Sequence, residues 1–332
     1  MSSMSASRTC TPLISLVVPC YNESAMVGLF HEEVSRQLRS LQGVGYELVF
    51  VNDGSRDRTL DHLRELAERD PHVIVIDLAR NFGKEAALTA GLFEAVGDVV
   101  VPMDADLQDP PELLVEFLAH WRNGYDVVLA RRVDRSADGL LKRSTAHWFY
   151  RLHSRISDVA LPENVGDFRL MDRKVVDALK ALPERHRFMK GLFAWVGHRT
   201  TVIDYVRSPR AAGTTKFSGW KLWNLALEGI TSFSTLPLRV WTYLGALIAS
   251  VSILYAGFIV IRTLLFGADV PGYASLLTSI LLLSGIQLIG IGVVGEYVGR
   301  IYTESKQRPL YLIQARYGRG PSSALPQTQD EV

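Results

Sequence analysis

The sequence predicts a doubly wound α/β domain followed by a pair of membrane-crossing helices, and three observations carry that prediction. Short apolar, β-branched runs alternate with amphipathic stretches over the first 130 residues. Polar motifs fall where the apolar runs stop. Charge is abundant up to about residue 230 and nearly vanishes from 240 to 295.

Residues 13–19, 47–53, 73–79, 98–104 and 126–130 are read as strands. Their almost continuous Val, Ile and Leu content suits burial on both faces, as in a parallel sheet. Between them, 24–42, 57–69, 84–96 and 111–123 are read as helices, with Pro110 and Pro111 at the start of the last, where a missing N–H costs little. A mostly parallel sheet of this kind binds its ligand at the carboxyl ends of the strands. Neither GxGxxG nor GxxxxGK[ST] occurs, so neither a dinucleotide fingerprint nor a Walker loop explains those ends.

Composition narrows the partners. A net charge of +1 gives no global attraction for nucleic acid, so any anion site must be local. Cys10 and Cys20 have neither metal-ligand nor disulfide-framework spacing. The opening MSSMSASRTCTPL lacks the basic-then-apolar layout of a secretory signal, which leaves the N-terminal region in the cytoplasm.

Residues 139–157 form a cationic amphipathic pattern, with Leu141, Trp148, Leu152 and Ile156 on one face and Lys142, Arg143, Arg151 and Arg155 around it. A second pattern at 218–233 aligns Trp220, Trp223, Leu227 and Ile230. Either alone equally suits a core face; two Trp-rich stripes beside an uncharged region favour the membrane interface. Residues 240–261 and 273–295 each exceed the roughly 20 residues needed to cross a bilayer. The loop between them is short, and Arg300, Lys306, Arg308, Arg316 and Arg319 follow the second, so both ends are expected to face the cytoplasm. Gly295 and Gly299 make a GxxxG that would allow helices to pack closely, and with it a homo-oligomer. The expected organisation is a tail (1–12), a catalytic domain (13–217), an interfacial helix (218–235), a transmembrane hairpin (236–303) and a cytoplasmic tail (304–332) that is disordered from 318.

Four acidic motifs mark the strand ends: PCYNE (19–23), NDGS (52–55), DADLQD (104–109) and GDFRL (166–170). Asp104 and Asp106 end an apolar strand, where alternation would point both the same way. Two such carboxylates repel unless a cation separates them. Hard oxygen ligands of this type suit Mg²⁺ or Mn²⁺ with bound phosphates, and Gln108 and Asp109 could add further oxygens. Asp53 is placed to accept hydrogen bonds from a nucleobase edge, with Tyr21 and Glu23 adding stacking and polar contacts, although each alone also suits a turn or a helix cap.

SLVVPCYNE, FVNDGSRDRT, ARNFGKEAAL, DADLQDPPE, GDFRLMDR and RAAGTTKFSGWKL occur in that order across residues 13–233. Together they resemble the inverting family 2 glycosyltransferases, and within them the branch that makes polyprenyl-phosphate sugars (dolichol-phosphate mannose synthases and bactoprenol glucosyltransferases). The resemblance implies a GT-A fold, a nucleotide-sugar donor and a divalent metal, Mg²⁺ or Mn²⁺. It assigns Pro19, Tyr21, Glu23, Asp53, Lys84 and Asp104 to the nucleotide, and Asp104, Asp106 and Gln108 to the metal. Asp167 and Arg169 would lie beside the transferred sugar or acceptor phosphate. Arg131, Lys142, Arg143, Ser144, Arg210 and Lys216 would take the lipid phosphate or lie near the diphosphate. The implied reaction moves a sugar, glucose from UDP-glucose in the first instance, to a polyprenyl phosphate such as undecaprenyl phosphate with inversion, at the inner (plasma) membrane. Mannosyl transfer would use the same scaffold. A processive polysaccharide synthase would carry QxxRW, which this chain lacks; a non-catalytic nucleotide-sugar-binding scaffold would not need Asp104, Asp106, Asp167 and Arg169.

Overall fold

A computed structural model describes residues 11–133, 164–185, 187–206, 236–266 and 272–320. The amphipathic stretches 139–157 and 218–233, and with them Lys142, Arg143, Ser144, Arg210 and Lys216, lie outside the described residues.

The expected alternation is present as β1 (Leu13–Cys20), α1 (Val27–Ser40), β2 (Gly45–Asn52), α2 (Thr59–Arg69), β3 (Val73–Leu78), α3 (Lys84–Glu94), β4 (Val99–Pro102), α4 (Leu113–Arg122) and β5 (Val127–Arg132). Five further elements complete the domain: β6 (Val165–Asp172), α5 (Arg173–Ala181), α6 (Met189–Val196), β7 (Thr200–Tyr205) and, far along the chain, β8 (Ile313–Tyr317). The sheet order is β7-β5-β6-β4-β1-β2-β3-β8. Strands β1 to β4 run parallel, while β6 is antiparallel to both β4 and β5, and β8 is antiparallel to β3. The sheet is therefore mixed.

Burial on both faces explains the continuous apolar strands. Along β1, Leu16 and Val18 join Phe30, Leu63 and Phe117 in a core under α1, α2 and α4. Val17 faces the other way, into a core with Leu88, Val176 and Leu192 from α3, α5 and α6. Helix α1 buries Val27, Phe30, Val34 and Leu38, the spacing that puts one stripe on one face. Strand order reverses between β1 and β4, and in sheets of this kind ligands bind beyond the carboxyl ends of the strands at that point.

Two long helices follow, α7 (Leu236–Phe266) and α8 (Tyr273–Ser305). At 1.5 Å per residue each is about 45–50 Å long. Many of their large apolar side chains point outward; Leu254 is 74% exposed, and Leu247, Phe258, Leu288 and Ile289 are exposed as well. Trp241 packs against Gly290, so the two helices touch. Counted over the described residues alone, no helix is long and apolar enough to cross a membrane. In the complete sequence, 240–261 and 273–295 contain no charged residue.

Between α8 and residue 318 the chain is tied to the α/β domain, and the segment from 321 on lies outside the described residues. Glu304 accepts the backbone N–H of Arg185 (2.9 and 3.0 Å), and the Arg185 guanidinium donates to the Arg308 carbonyl at 2.8 Å. Strand β8 then closes the β3 edge, pairing Val75 with Tyr317 and Ile76 with Arg316, and Arg316 reaches Glu94 on α3 at 2.7 Å. Gly318 turns away at φ 86°, where a side chain would collide with the Val73 carbonyl. Strand β8 covers β3 and becomes the edge of the sheet in its place.

Candidate active site

The loops after β1 and β2 are laced together. Asn22 N–H donates to the Ser55 hydroxyl (3.0 Å), Arg56 N–H to the Asn22 side chain (2.8 Å) and Glu23 N–H to the Thr59 hydroxyl (2.9 Å). Pro19 lies within β1 opposite Val51. Tyr21 is 41% exposed on the rim of the site.

Asp53 is buried beneath that rim. One of its oxygens accepts the Phe82 N–H at 2.7 Å and the other the Gly83 N–H at 3.0 Å. Burial raises its pKa, and the two amide hydrogen bonds oppose that rise. Each oxygen keeps a second lone pair for a nucleobase, but the carboxylate already has the structural task of holding the loop ahead of α3. Gly54 makes the close approach possible: at φ 62°, a Cβ would fall 2.4 Å from the backbone nitrogen of Asn81.

Strand β4 ends at Pro102, so Asp104 and Asp106 sit in a turn with Leu107 at φ 54°. Strand alternation therefore does not apply to them, and the expectation that both point alike is corrected. Asp104 turns to Lys84, which it meets at 2.7 and 3.0 Å through its two oxygens. Asp106 accepts the Gln108 N–H at 3.2 Å. Asp109 goes elsewhere: it is 3% exposed and accepts the Tyr205 hydroxyl at 2.5 Å. That hydroxyl also accepts the Arg132 guanidinium at 3.1 Å, so Asp109 belongs to the wall of the site.

Strand β6 runs back past β4 with Asp172 opposite Val99. Asp167 lies earlier on β6, while Asp104 lies in the turn just past the end of β4. The same ammonium joins them, for Lys84 is 2.8 Å from Asp167. Burial alone would push the Asp167 carboxyl up; the Lys84 and Lys190 charges outweigh it and hold its pKa at about 2. Burial works against the Lys84 charge too, and Asp167 and Asp104 raise its pKa well above the ordinary lysine value. Lys84 is charged at every physiological pH.

Arg169 shares the Asp167 face of β6 but lies deeper, at 5% exposure. It donates to the Gly166 carbonyl at 2.7 Å and lies 4.2 Å over the Phe193 ring. Burial lowers its pKa to about 10, so it remains a cation beneath the site. Arg131 forms a bidentate pair with Asp204 (2.6 and 2.9 Å), and it can take a lipid phosphate only if that pair opens. Glu85, Lys190, Arg132 and Tyr205 escaped the sequence reading. Glu85 and Arg132 adjoin motif residues, which was the available signal; Lys190 and Tyr205 are brought in by α6 and β7, elements without a recognisable pattern.

Among the described residues, no group of three or more His, Cys, Asp or Glu side chains is arranged to hold a metal ion. The donor set nonetheless fits one. Asp104, in the turn after β4, and Asp167, on β6, converge on one cationic atom, and carboxylate oxygens of this kind suit a hard divalent ion that Asp104 would help to hold.

Carboxylates and a lysine gathered at the switch point of a doubly wound mixed sheet suit an anionic, phosphate-bearing substrate. The family follows from sequence comparison: the model for glycosyl transferase family 2 matches residues 15–180, a second, the GtrB C-terminal hairpin, matches 236–301, and the chain belongs to glycosyl transferase family 2. It is 58% identical over 301 residues to a bactoprenol glucosyl transferase of Shigella phage SfV, covering 91% of this chain and 98% of the relative. A prophage bactoprenol glucosyl transferase homolog of Escherichia coli K12 is 55% identical over 91% of this chain and 98% of its own length. An uncharacterized glycosyltransferase of Bacillus subtilis, YkcC, is 46% identical over 92% of this chain and 94% of its own.

Proposed function

We propose that this glycosyltransferase moves glucose from UDP-glucose to the phosphate of a polyprenyl phosphate, with inversion, at the cytoplasmic face of the membrane. Two of the relatives carry the name bactoprenol glucosyl transferase or its homolog over nearly their whole length. The observation that carries the chemistry is the Lys84 ammonium between Asp104 and Asp167.

A phosphate monoester has a second pKa of about 6 and is largely dianionic at neutral pH, so this acceptor needs no base. Asp167, at about 2, is a poor proton acceptor and suits that requirement. Its work is to fix Lys84 and Lys190 and to orient the sugar between donor and acceptor. The difficulty is bringing a phosphate nucleophile to a diphosphate leaving group. Lys84, Lys190 and the buried Arg169 supply positive charge on the floor of the site, which lowers that repulsion and orients the attack. Tyr21 and Asp53 face the base end. A divalent ion held by Asp104 and Asp106, with Gln108, would screen the leaving diphosphate. Displacement from the opposite face of an α-linked donor gives a β-linked product.

Helices α7 and α8 would anchor the domain by crossing the bilayer, with both chain ends cytoplasmic; their uncharged spans, apolar outer surfaces and following basic residues support this. Association of several copies through these helices belongs to the same reading.

The test uses the full chain in detergent with undecaprenyl phosphate, Mn²⁺ or Mg²⁺, and labelled UDP-glucose or GDP-mannose. Label in the organic phase from UDP-glucose, absent with chelator and with Asp104→Asn, is the expected result. Label from GDP-mannose alone would replace glucose by mannose. UDP-glucose binding without transfer to any lipid would favour a binding scaffold.

A further inference from the structure

Lys84 has more contacts than an ordinary surface lysine. Its ammonium meets both oxygens of Asp104 (2.7 and 3.0 Å), in the turn after β4, and one of Asp167 (2.8 Å), on β6. It is also placed from behind. Asp53 holds the Phe82 and Gly83 amides, and Lys84 is the next residue, the first of α3. One chain of contacts thus runs from the loop at the base end, through Lys84, to the two acids at the diphosphate end.

Building on the proposed donor, we propose that Lys84 is the counter-ion of the donor-free site, an internal cation that must release Asp104 before a divalent ion can be held there. The physical reason is charge. Two carboxylates facing each other require positive charge between them, and Lys84 supplies it when no ligand is bound. A divalent ion arriving alone meets both an occupied carboxylate and a like charge a few ångströms away. A nucleotide-sugar brings its diphosphate with it. That anion gives the ammonium a new partner, so Lys84 leaves Asp104 for the phosphates while Asp167 keeps hold of it. Metal and diphosphate therefore enter as a pair, and neither binds well without the other. The ion pair also keeps the acids together between turnovers, so the site need not reassemble each time.

The measurement is Mn²⁺ binding by the full chain in detergent, followed by the electron paramagnetic resonance signal of free Mn²⁺, with and without UDP-glucose. For the native chain, UDP-glucose tightens Mn²⁺ binding by about tenfold or more. In Lys84→Met, Mn²⁺ alone binds about tenfold more tightly than to the native chain, and most of the tightening by UDP-glucose is lost. Lys84→Arg keeps a cation there and behaves like the native chain. Lys84 is half exposed, and a thermal melt of each variant beside the titration checks that the fold is kept. Mn²⁺ binding to Lys84→Met that is no tighter than native, with UDP-glucose still bound, overturns the role of Lys84 and leaves the donor standing. A native chain that binds no UDP-glucose removes both.

Discussion

Glu85 accepts the backbone N–H of Met189 at 3.1 Å, tying the first turn of α3 to the first turn of α6. The contact matters because α3 carries Lys84 and α6 carries Lys190, two of the cations whose charge acts on Asp167. Burial, reinforced by the nearby Asp167, raises Glu85 from 4.5 to about 7. Its ionised form therefore opposes folding. Below pH 4.5 it is protonated in both states and contributes nothing; as pH rises to about 7 the unfolded chain ionises first and stability falls; above that the loss is constant. Glu85→Gln should gain stability over the native chain by about 1–2 kcal/mol across that window. A melting-temperature difference that does not change between pH 5 and 8 (a span chosen from roughly these pKa values) would contradict it.

Asp70 should behave with the opposite sign. It sits between His31 at 2.9 Å and the ring of His72 at 2.8 Å, and also accepts the His72 N–H at 2.9 Å. Burial raises its pKa, but these hydrogen bonds together outweigh burial and lower it. The resulting stability is complete above the unfolded carboxyl value and is lost as pH falls through the lower, folded one. Asp70→Asn is expected to cost about 1–3 kcal/mol at neutral pH and to flatten the acid side of the stability curve. Denaturant midpoints measured at a series of acidic pH values decide it.

Asp109 and Tyr205 give a sharp test of which acids in DADLQD bind and which support. Removing the hydroxyl in Tyr205→Phe leaves a buried carboxylate short of a donor and should cost about 1–3 kcal/mol. UDP-glucose affinity should change little, since Asp109 faces the protein. Asp104→Asn should do the reverse, with a small shift in melting temperature and a large loss of nucleotide and metal binding. Calorimetric titration beside a thermal melt separates the two patterns.

Gly54→Ala should disable the donor site. The new methyl would press on Arg80 and Asn81 backbone, which cannot retreat without breaking the Asp53 hydrogen bonds to Phe82 and Gly83. The expected outcome is a loss of UDP-glucose affinity of about tenfold or more, even where the domain still folds. Native affinity in this variant would mean the two loops are not coupled.

The first five strands and four helices were legible because each is a local pattern: apolar runs for the strands, one-sided stripes such as Val27, Phe30, Val34 and Leu38 for the helices. Strand ends were less so. The apolar run 98–104 continues past Pro102, where β4 stops, and the two acids consequently lie in a turn. Strand β8 was invisible for another reason. IQARY alternates but is only five residues long, and nothing local announces that it returns to the edge of β3 more than two hundred residues earlier.

Sequence by itself determined the doubly wound class, the uncharged helical pair and the acids at the strand ends, because hydrophobic periodicity and motif order are written residue by residue. Tertiary structure alone decided what each acid does. Asp53 holds a loop, Asp109 braces a tyrosine, and Asp104 and Asp167 share Lys84, although all four are carboxylates in motifs of similar appearance. The reason is physical: the charge, proton affinity and ligand preference of a carboxylate depend on which donors lie within about 3 Å. Those neighbours are set by the register of distant strands.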